Sequence, residues 1–244
     1  MKAPVLLVSG WAHPAAALEP LAHRLAERPV RLLGLEAIHV AAPRSGLSGY
    51  ASGLLQEIEA QEEPVILAGW SMGGMVALEA AAAAPGRIAA LILISAAPRL
   101  AADQDFPEGV PPRILQAMTL SFRRTPERTL RDFFINAASP SEPDGETAAQ
   151  FAHRALESGT EALAEQLEYL VRTDLRPACA RLRMPRLLLH GTRDRIIPAG
   201  AAAWLRAHSA GTEGEVREGA GHRLPLDHPD WTAERIVRFL EGAA

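Results

Sequence analysis

Gly69-Trp70-Ser71-Met72-Gly73 constrains this chain more than any other segment, because it stands between the apolar run Val65-Ile66-Leu67-Ala68 and the alanine-rich stretch from Met75 to Ala84. A serine carried on a sharp strand-to-helix turn needs small residues two before and two after it, since a Cβ at either place collides as the backbone doubles back. The pentapeptide alone recurs by chance in Gly-Ser loops. A strand pattern ahead of it and a helix pattern behind it are the context that a nucleophile elbow requires. Ser71 is therefore expected to present its hydroxyl at the end of a buried strand.

An elbow implies partners in a set order, an acid after a later strand and then a histidine near the C-terminus. Asp194 follows the apolar run Arg186-Leu187-Leu188-Leu189-His190 through Gly191-Thr192-Arg193, which predicts a loop at a strand's end. His222 stands in the glycine-rich stretch Gly219-Ala220-Gly221-His222, ahead of Leu224, Pro225 and a terminal helix. The other histidines, His13, His23, His39, His153, His190, His208 and His228, read as surface or core residues.

Proton affinity explains why the chemistry needs these three groups. A serine hydroxyl is a poor nucleophile at neutral pH, so a neutral imidazole must take its proton during attack and return it to the leaving group. A carboxylate behind the imidazole fixes its tautomer and stabilises the imidazolium that forms. The tetrahedral oxyanion needs two preorganised backbone N–H groups. Met72, next after the serine, is expected to supply one, and Trp11, after the strand-like Val5-Leu6-Leu7-Val8-Ser9-Gly10, the other.

At 244 residues, 48% hydrophobic and 22% charged, the chain is long enough to bury a sizeable core, and one domain with an insertion is the expected count, 1–244. A formal charge of −4 argues against nucleic acid as the main partner. The single cysteine, Cys179, excludes an internal disulfide, builds no metal site alone, and reads as a small buried residue. Neither metal nor organic cofactor is implied. No apolar run is long enough to span a membrane, and Val5 to Val8 is too short for a signal-peptide core, so a cytoplasmic monomer is expected.

Strand and helix patterns alternate at both ends. Strands are predicted at Pro4 to Ser9, Ala37 to Ala41, Val65 to Ala68, Arg87 to Ser95, Arg186 to Leu189 and Glu215 to Arg217. Helices are predicted through Leu18, Leu21 and Leu25, through Leu54, Leu55 and Ile58 with Ser48 as N-cap, and through Ile236, Phe239 and Leu240. The run Ala90 to Ile94, apolar on both faces, suits a central parallel strand. From about 98 to 183 there are only proline-broken, helix-period segments, so a helical lid is expected there, covering the serine and lining its pocket. Phe133 and Phe134 are the candidates for touching substrate, against packing of the same residues onto the core. Arg113, Arg123, Arg124, Arg128 and Arg131 cluster in this stretch with only Glu127 among them. Such a patch would steer an acidic partner, or reflects solvated helix faces in a chain whose only lysine is Lys2.

These motifs together resemble the α/β-hydrolase superfamily, and within it the pimeloyl-[acyl-carrier protein] methyl ester esterases of biotin synthesis. The resemblance runs over nearly the whole chain: Gly10-Trp11, the Gly-Trp-Ser-x-Gly-Gly elbow at Gly69 to Gly74, Arg128-Thr129 and Phe133, Thr173-Asp174-Leu175-Arg176, Gly191 to Asp194, and Gly221-His222. It implies a mostly parallel sheet flanked by helices with a helical lid. It further implies Ser71, Asp194 and His222 as triad, Trp11 and Met72 as oxyanion hole, and Trp11, Phe133, Phe134 and Ala137 as substrate contacts. The family docks its carrier through lid arginines, which implies Arg128, with Arg124, Arg131 and Arg154 as neighbouring candidates. The chain departs from the pattern where Ser9-Gly10 replaces His-Gly, where Ala42-Pro43-Arg44-Ser45-Gly46 replaces an Asp-x-Pro-Gly turn, and where Asp132 and Ala149 stand at positions expected to be arginine. A serine carboxylesterase working through an acyl-enzyme is the expected activity. The alternatives are a broad-range carboxylesterase, lactonase or carbon–carbon bond hydrolase with the same triad, or a binding protein that keeps the shell without turnover.

Overall fold

The computed structural model describes residues 2–141 and 145–242. Six strands form one parallel sheet: β1 (Val5–Val8), β2 (Val30–Leu33), β3 (Val65–Trp70), β4 (Ile88–Ile94), β5 (Arg186–Gly191) and β6 (Thr212–Arg217), in the order β2-β1-β3-β4-β5-β6. Successive side chains on a strand point to opposite faces, and the central strands bury both. Leu6 and Val8, Val65 and Leu67, Leu91 and Leu93 enter one core, while Val5 and Leu7, Ile66 and Ala68, Ile92 and Ile94 enter the other. The first core is closed by α2 (Gly49–Glu59) and α3 (Met72–Ala83), the second by α1 (Glu19–Arg24) and α11 (Pro229–Gly242). The Ser48 hydroxyl caps α2 by accepting from the Ala51 N–H at 3.0 Å, as its spacing predicts.

One predicted strand is in the wrong place. Ala37 to Ala41 is a turn and loop, and the second strand is Val30–Leu33, an edge strand with Arg31 exposed. The β-branched content of Ile38 and Val40 misled the pattern. The Val40 N–H goes to the Gly49 carbonyl at the start of α2 and the Ala37 N–H closes a turn on Gly34, so neither group joins a strand ladder.

Between β4 and β5 lie α4 (Pro112–Arg124), α5 (Pro126–Ala138), α6 (Gly145–Leu156), α7 (Thr160–Arg172) and the short α8 (Arg176–Cys179). The two ends of this stretch meet where Arg99 bridges Asp174 and the Leu175 N–H donates to the Pro98 carbonyl at 2.8 Å. Arg99, Asp103, Asp174 and Arg176 form one ion network there, with Arg176 bonding Asp174 at 2.6 Å and Asp103 at 3.0 Å. The remaining helices, α9 (Ala199–His208) and α10 (Leu224–Asp227), lie beyond β5 and β6 respectively. Cys179 is buried and unpaired.

Candidate active site

The chain reverses its winding direction at β1, which lies between β2 and β3. Open parallel sheets bind ligands at the carboxyl ends of strands where the order reverses, and the segments after β1 and β3 meet there. Ser71, the residue after β3, has φ 57° and ψ −121°, a left-handed conformation for a non-glycine residue. The turn closes because its flanking residues have no side chain: a Cβ on Gly69 would lie 2.3 Å from the Gly73 carbonyl oxygen, and one on Gly73 2.4 Å from that of Ser9. Gly10 faces the serine itself, where an added Cβ would stand 3.0 Å from the Ser71 Cβ.

The structure brings Ser71, His222 and Asp194 into one chain of hydrogen bonds. His222 Nε2 is 2.9 Å from Ser71 Oγ, and His222 Nδ1 is 2.8 Å from Asp194 Oδ2. With Nδ1–H donated to the carboxylate, Nε2 is the acceptor for the serine proton. Asp194 Oδ1 accepts from the backbone N–H groups of Ile196 at 2.8 Å and Ile197 at 2.9 Å, so both oxygens are occupied. Burial by itself would raise the Asp194 carboxyl. The charge and hydrogen bond of His222, with His190 and the Ile197 N–H, outweigh burial and hold it below the ordinary carboxylate range. Asp227, the other acid near the end of the chain, belongs to Arg223 instead, at 2.8 Å. The Trp70 indole N–H donates to the His222 carbonyl at 2.9 Å, tying the loop that carries the imidazole to the strand that carries the serine.

Trp11 lines the same cavity as Ser71, and Met72 follows the serine in the chain. Among the described residues neither backbone N–H has an acceptor within the protein. Met72 is the first residue of α3, whose macrodipole adds partial positive charge at that end. The Trp11 ring is anchored by its Nε1–H on the Leu163 carbonyl at 3.0 Å and by edge contacts with Phe122 and Phe133.

Ser71 opens on a cavity of about 510 Å³ whose walls include Trp11, Leu115, Met118, Phe133, Leu167 and Ile196. Of the predicted substrate contacts, Trp11 and Phe133 line it. Phe134 and Ala137 do not: Phe134 turns away to meet His13 and Phe151, at 5.1 and 5.6 Å between ring centres, and Ala137 is fully buried in the core. Phe134 lies about 100° round α5 from Phe133, away from the face that lines the cavity through Thr129, Asp132, Phe133 and Asn136, while Ala137, one turn beyond Phe133, shares that face but does not line the cavity.

Arg128 and Arg131 share a shallow depression with Glu127 and Ala149, and Arg128 lies 4.0 Å from Asp132. Arg124 is exposed at the end of α4. Arg154 is set apart from them, lining a different cavity with His13. Sequence reasoning placed neither Arg195 nor His190 at the site and named Asp132 only as a departure from an expected arginine. Arg195, next to Asp194, and Asp132 line the Ser71 cavity, and His190 Nε2 stands 3.4 Å from Asp194 Oδ2 while bonding the Ile197 carbonyl at 3.0 Å. The only signal was adjacency to Asp194 for Arg195 and four-residue spacing for His190; both are common without meaning.

No cluster of three or more His, Cys, Asp or Glu side chains suited to a metal ion occurs among the described residues, and among them no helix is long and apolar enough to cross a membrane. An alpha/beta hydrolase family model matches residues 5–235. The chain is 32% identical over 246 residues to the pimeloyl-[acyl-carrier protein] methyl ester esterase of Xanthomonas oryzae pv. oryzae, covering 97% of this chain and 94% of that one. It is 30% identical over 243 residues to the enzyme of the same name from Neisseria meningitidis serogroup B, covering 98% and 93%. Among solved structures, an esterase from Exiguobacterium antarcticum superimposes with a TM-score of 0.84 at 23% identity, over 98% of this chain and 92% of that one, a likeness of fold. This chain belongs to the alpha/beta hydrolase family and is a carboxylic ester hydrolase of that fold.

Proposed function

We propose that this protein hydrolyses the methyl ester of a pimeloyl group carried on acyl carrier protein, with Ser71 as nucleophile, His222 as general base and acid, and Asp194 orienting the imidazole. The observation that carries the catalytic part is the hydrogen-bonded chain from Ser71 through His222 to Asp194, at 2.9 and 2.8 Å, opening on a largely apolar cavity. Ser71 Oγ attacks the ester carbonyl as its proton passes to His222 Nε2, and the oxyanion is held by the free N–H groups of Trp11 and Met72. Collapse expels methoxide, which takes the proton from His222 and leaves as methanol. Water then attacks the acyl-serine with His222 again accepting a proton, and collapse restores the Ser71 hydroxyl and frees the carboxylic acid.

The substrate assignment rests on the names of the two relatives and on the arginines of α4 and α5. In this reading α4–α7 form the lid of a single domain, Phe133 and Trp11 bound the acyl chain, and Arg124, Arg128 and Arg131 receive an acidic carrier in the cytoplasm. A general carboxylesterase acting on small esters is the second reading. It is favoured by Asp132, whose carboxylate stands beside Arg128 and weakens the positive patch. The two readings separate when methyl pimeloyl-carrier and p-nitrophenyl butyrate are compared at low and high salt. Surface charges are screened beyond roughly 8–10 Å at physiological ionic strength, so kcat/KM for the carrier substrate should fall with salt while that for the small ester holds. A carrier ester that is not cleaved, or equal salt dependence of both, would overturn the carrier reading.

A further inference from the structure

A second cavity, of about 290 Å³, shares no lining residue with the one at Ser71. Its apolar wall includes Phe134, Phe151, Ala155 and Leu226, and its polar groups are His13, Arg154 and Arg223. Arg223 is already matched, bonding both oxygens of Asp227 at 3.2 and 2.8 Å. Arg154 has no carboxylate within ion-pair distance among the described residues, so its charge is the one left over. His13 adds none: its Nδ1–H donates to the Trp11 carbonyl at 2.8 Å, and burial among Trp70, Phe133 and Phe134 pushes its pKa down to about 3, leaving a neutral ring.

An unmatched guanidinium at one edge of an aromatic and aliphatic hollow complements a carboxylate with a short hydrocarbon tail, because the planar fork of Arg matches the two carboxylate oxygens. The volume lies just below the roughly 300–1,000 Å³ range of small-molecule sites, which favours a small acid over a long acyl chain. We propose that this cavity binds a medium-chain monocarboxylate, its head on Arg154 and its tail between Phe134 and Phe151. The site is independent of the roles assigned to Ser71, His222 and Asp194.

Calorimetric titration with heptanoate tests the proposal without reference to turnover, and one arginine from each cavity tells the two sites apart. The wild-type chain should bind heptanoate saturably, and Arg154→Ala should weaken binding about tenfold or more, the usual consequence of losing a charge-assisted hydrogen bond. Arg154→Lys, which keeps the charge, should lose less. Arg195→Ala, in the Ser71 cavity, should leave binding unchanged, and 1-heptanol should bind about tenfold more weakly than heptanoate. The absence of saturable binding, equal affinity in the wild type and Arg154→Ala, or loss on Arg195→Ala would each overturn it.

Discussion

Asp194 has a fully buried side chain and is nevertheless held below the ordinary carboxylate range, because both of its oxygens accept hydrogen bonds and His222 stands beside it. That arrangement fixes the imidazole, so the residues of the chain are not of equal weight. Ser71→Ala should lower turnover of p-nitrophenyl butyrate on the order of 10⁴-fold or more, since no other group can form the acyl intermediate. Asp194→Ala should cost roughly ten- to a hundredfold less, because the Ser71–His222 pair and the oxyanion donors survive it. Steady-state kinetics on folded variants decides both, and near wild-type turnover by Ser71→Ala would remove the assignment. Two other histidines bear on stability rather than chemistry. Burial depresses the pKa of His13 to about 3 and lowers that of His190. An unfolded imidazole takes its proton near 6.5, so between about pH 6.5 and 3 the unfolded chain binds more protons than the folded one. Stability should therefore be complete above pH 6.5 and fall as pH is lowered through this window. Melting curves from pH 7 to 5 should show a shallower decline for His13→Gln than for the wild type; parallel curves would mean that the ring is solvated.

At the scale of elements, α7 is joined to the body of the protein through a shared carboxylate. Glu79 on α3 accepts from the Ser48 N–H and hydroxyl, both at 2.7 Å, and from the Tyr169 hydroxyl on α7 at 2.9 Å. The same α7 supplies the Leu163 carbonyl that anchors the Trp11 ring, so its position bears on the wall of the Ser71 cavity. Tyr169→Phe removes one bond to a charged acceptor and nothing else from the packing. It should cost about 1–2 kcal/mol, read as a fall of a few degrees in Tm. An unchanged Tm would mean that solvent replaces the phenol without loss. The regular elements were legible in the sequence where their own side chains decide them, as in β4, apolar on both faces, and α2, capped by Ser48. The edge strand β2 was not, because only Leu33 of its four residues is buried, and the more strand-like Ala37 to Ala41 is held by a turn onto Gly34 and a bond from Val40 to the start of α2.

Across the whole molecule, charge of one sign is concentrated where the chain as a whole has the other: the net formal charge is −4, yet Arg124, Arg128 and Arg131 cluster on α4 and α5. Reversing all three should cut kcat/KM for a methyl pimeloyl-carrier substrate several-fold or more and leave p-nitrophenyl butyrate almost unchanged, because long-range steering acts on the macromolecular partner alone. An equal loss on both substrates would indicate damage to α4 and α5, and no loss on either would favour the general carboxylesterase. What the sequence determined by itself is what short-range geometry encodes. The glycine spacing forces the turn at Ser71, the periodicity sets the strands and helices, and the chain order of Ser71, Asp194 and His222 names the groups that should meet. Tertiary structure alone decided distances and directions. Ser71 and His222 are 151 positions apart and Trp11 and Leu163 152 apart, and only the packed parallel sheet closes such gaps. It also turned Phe133 toward the serine and Phe134 into a separate cavity, since neighbours on a helix diverge by about 100° and no local pattern says which of the two faces the nucleophile.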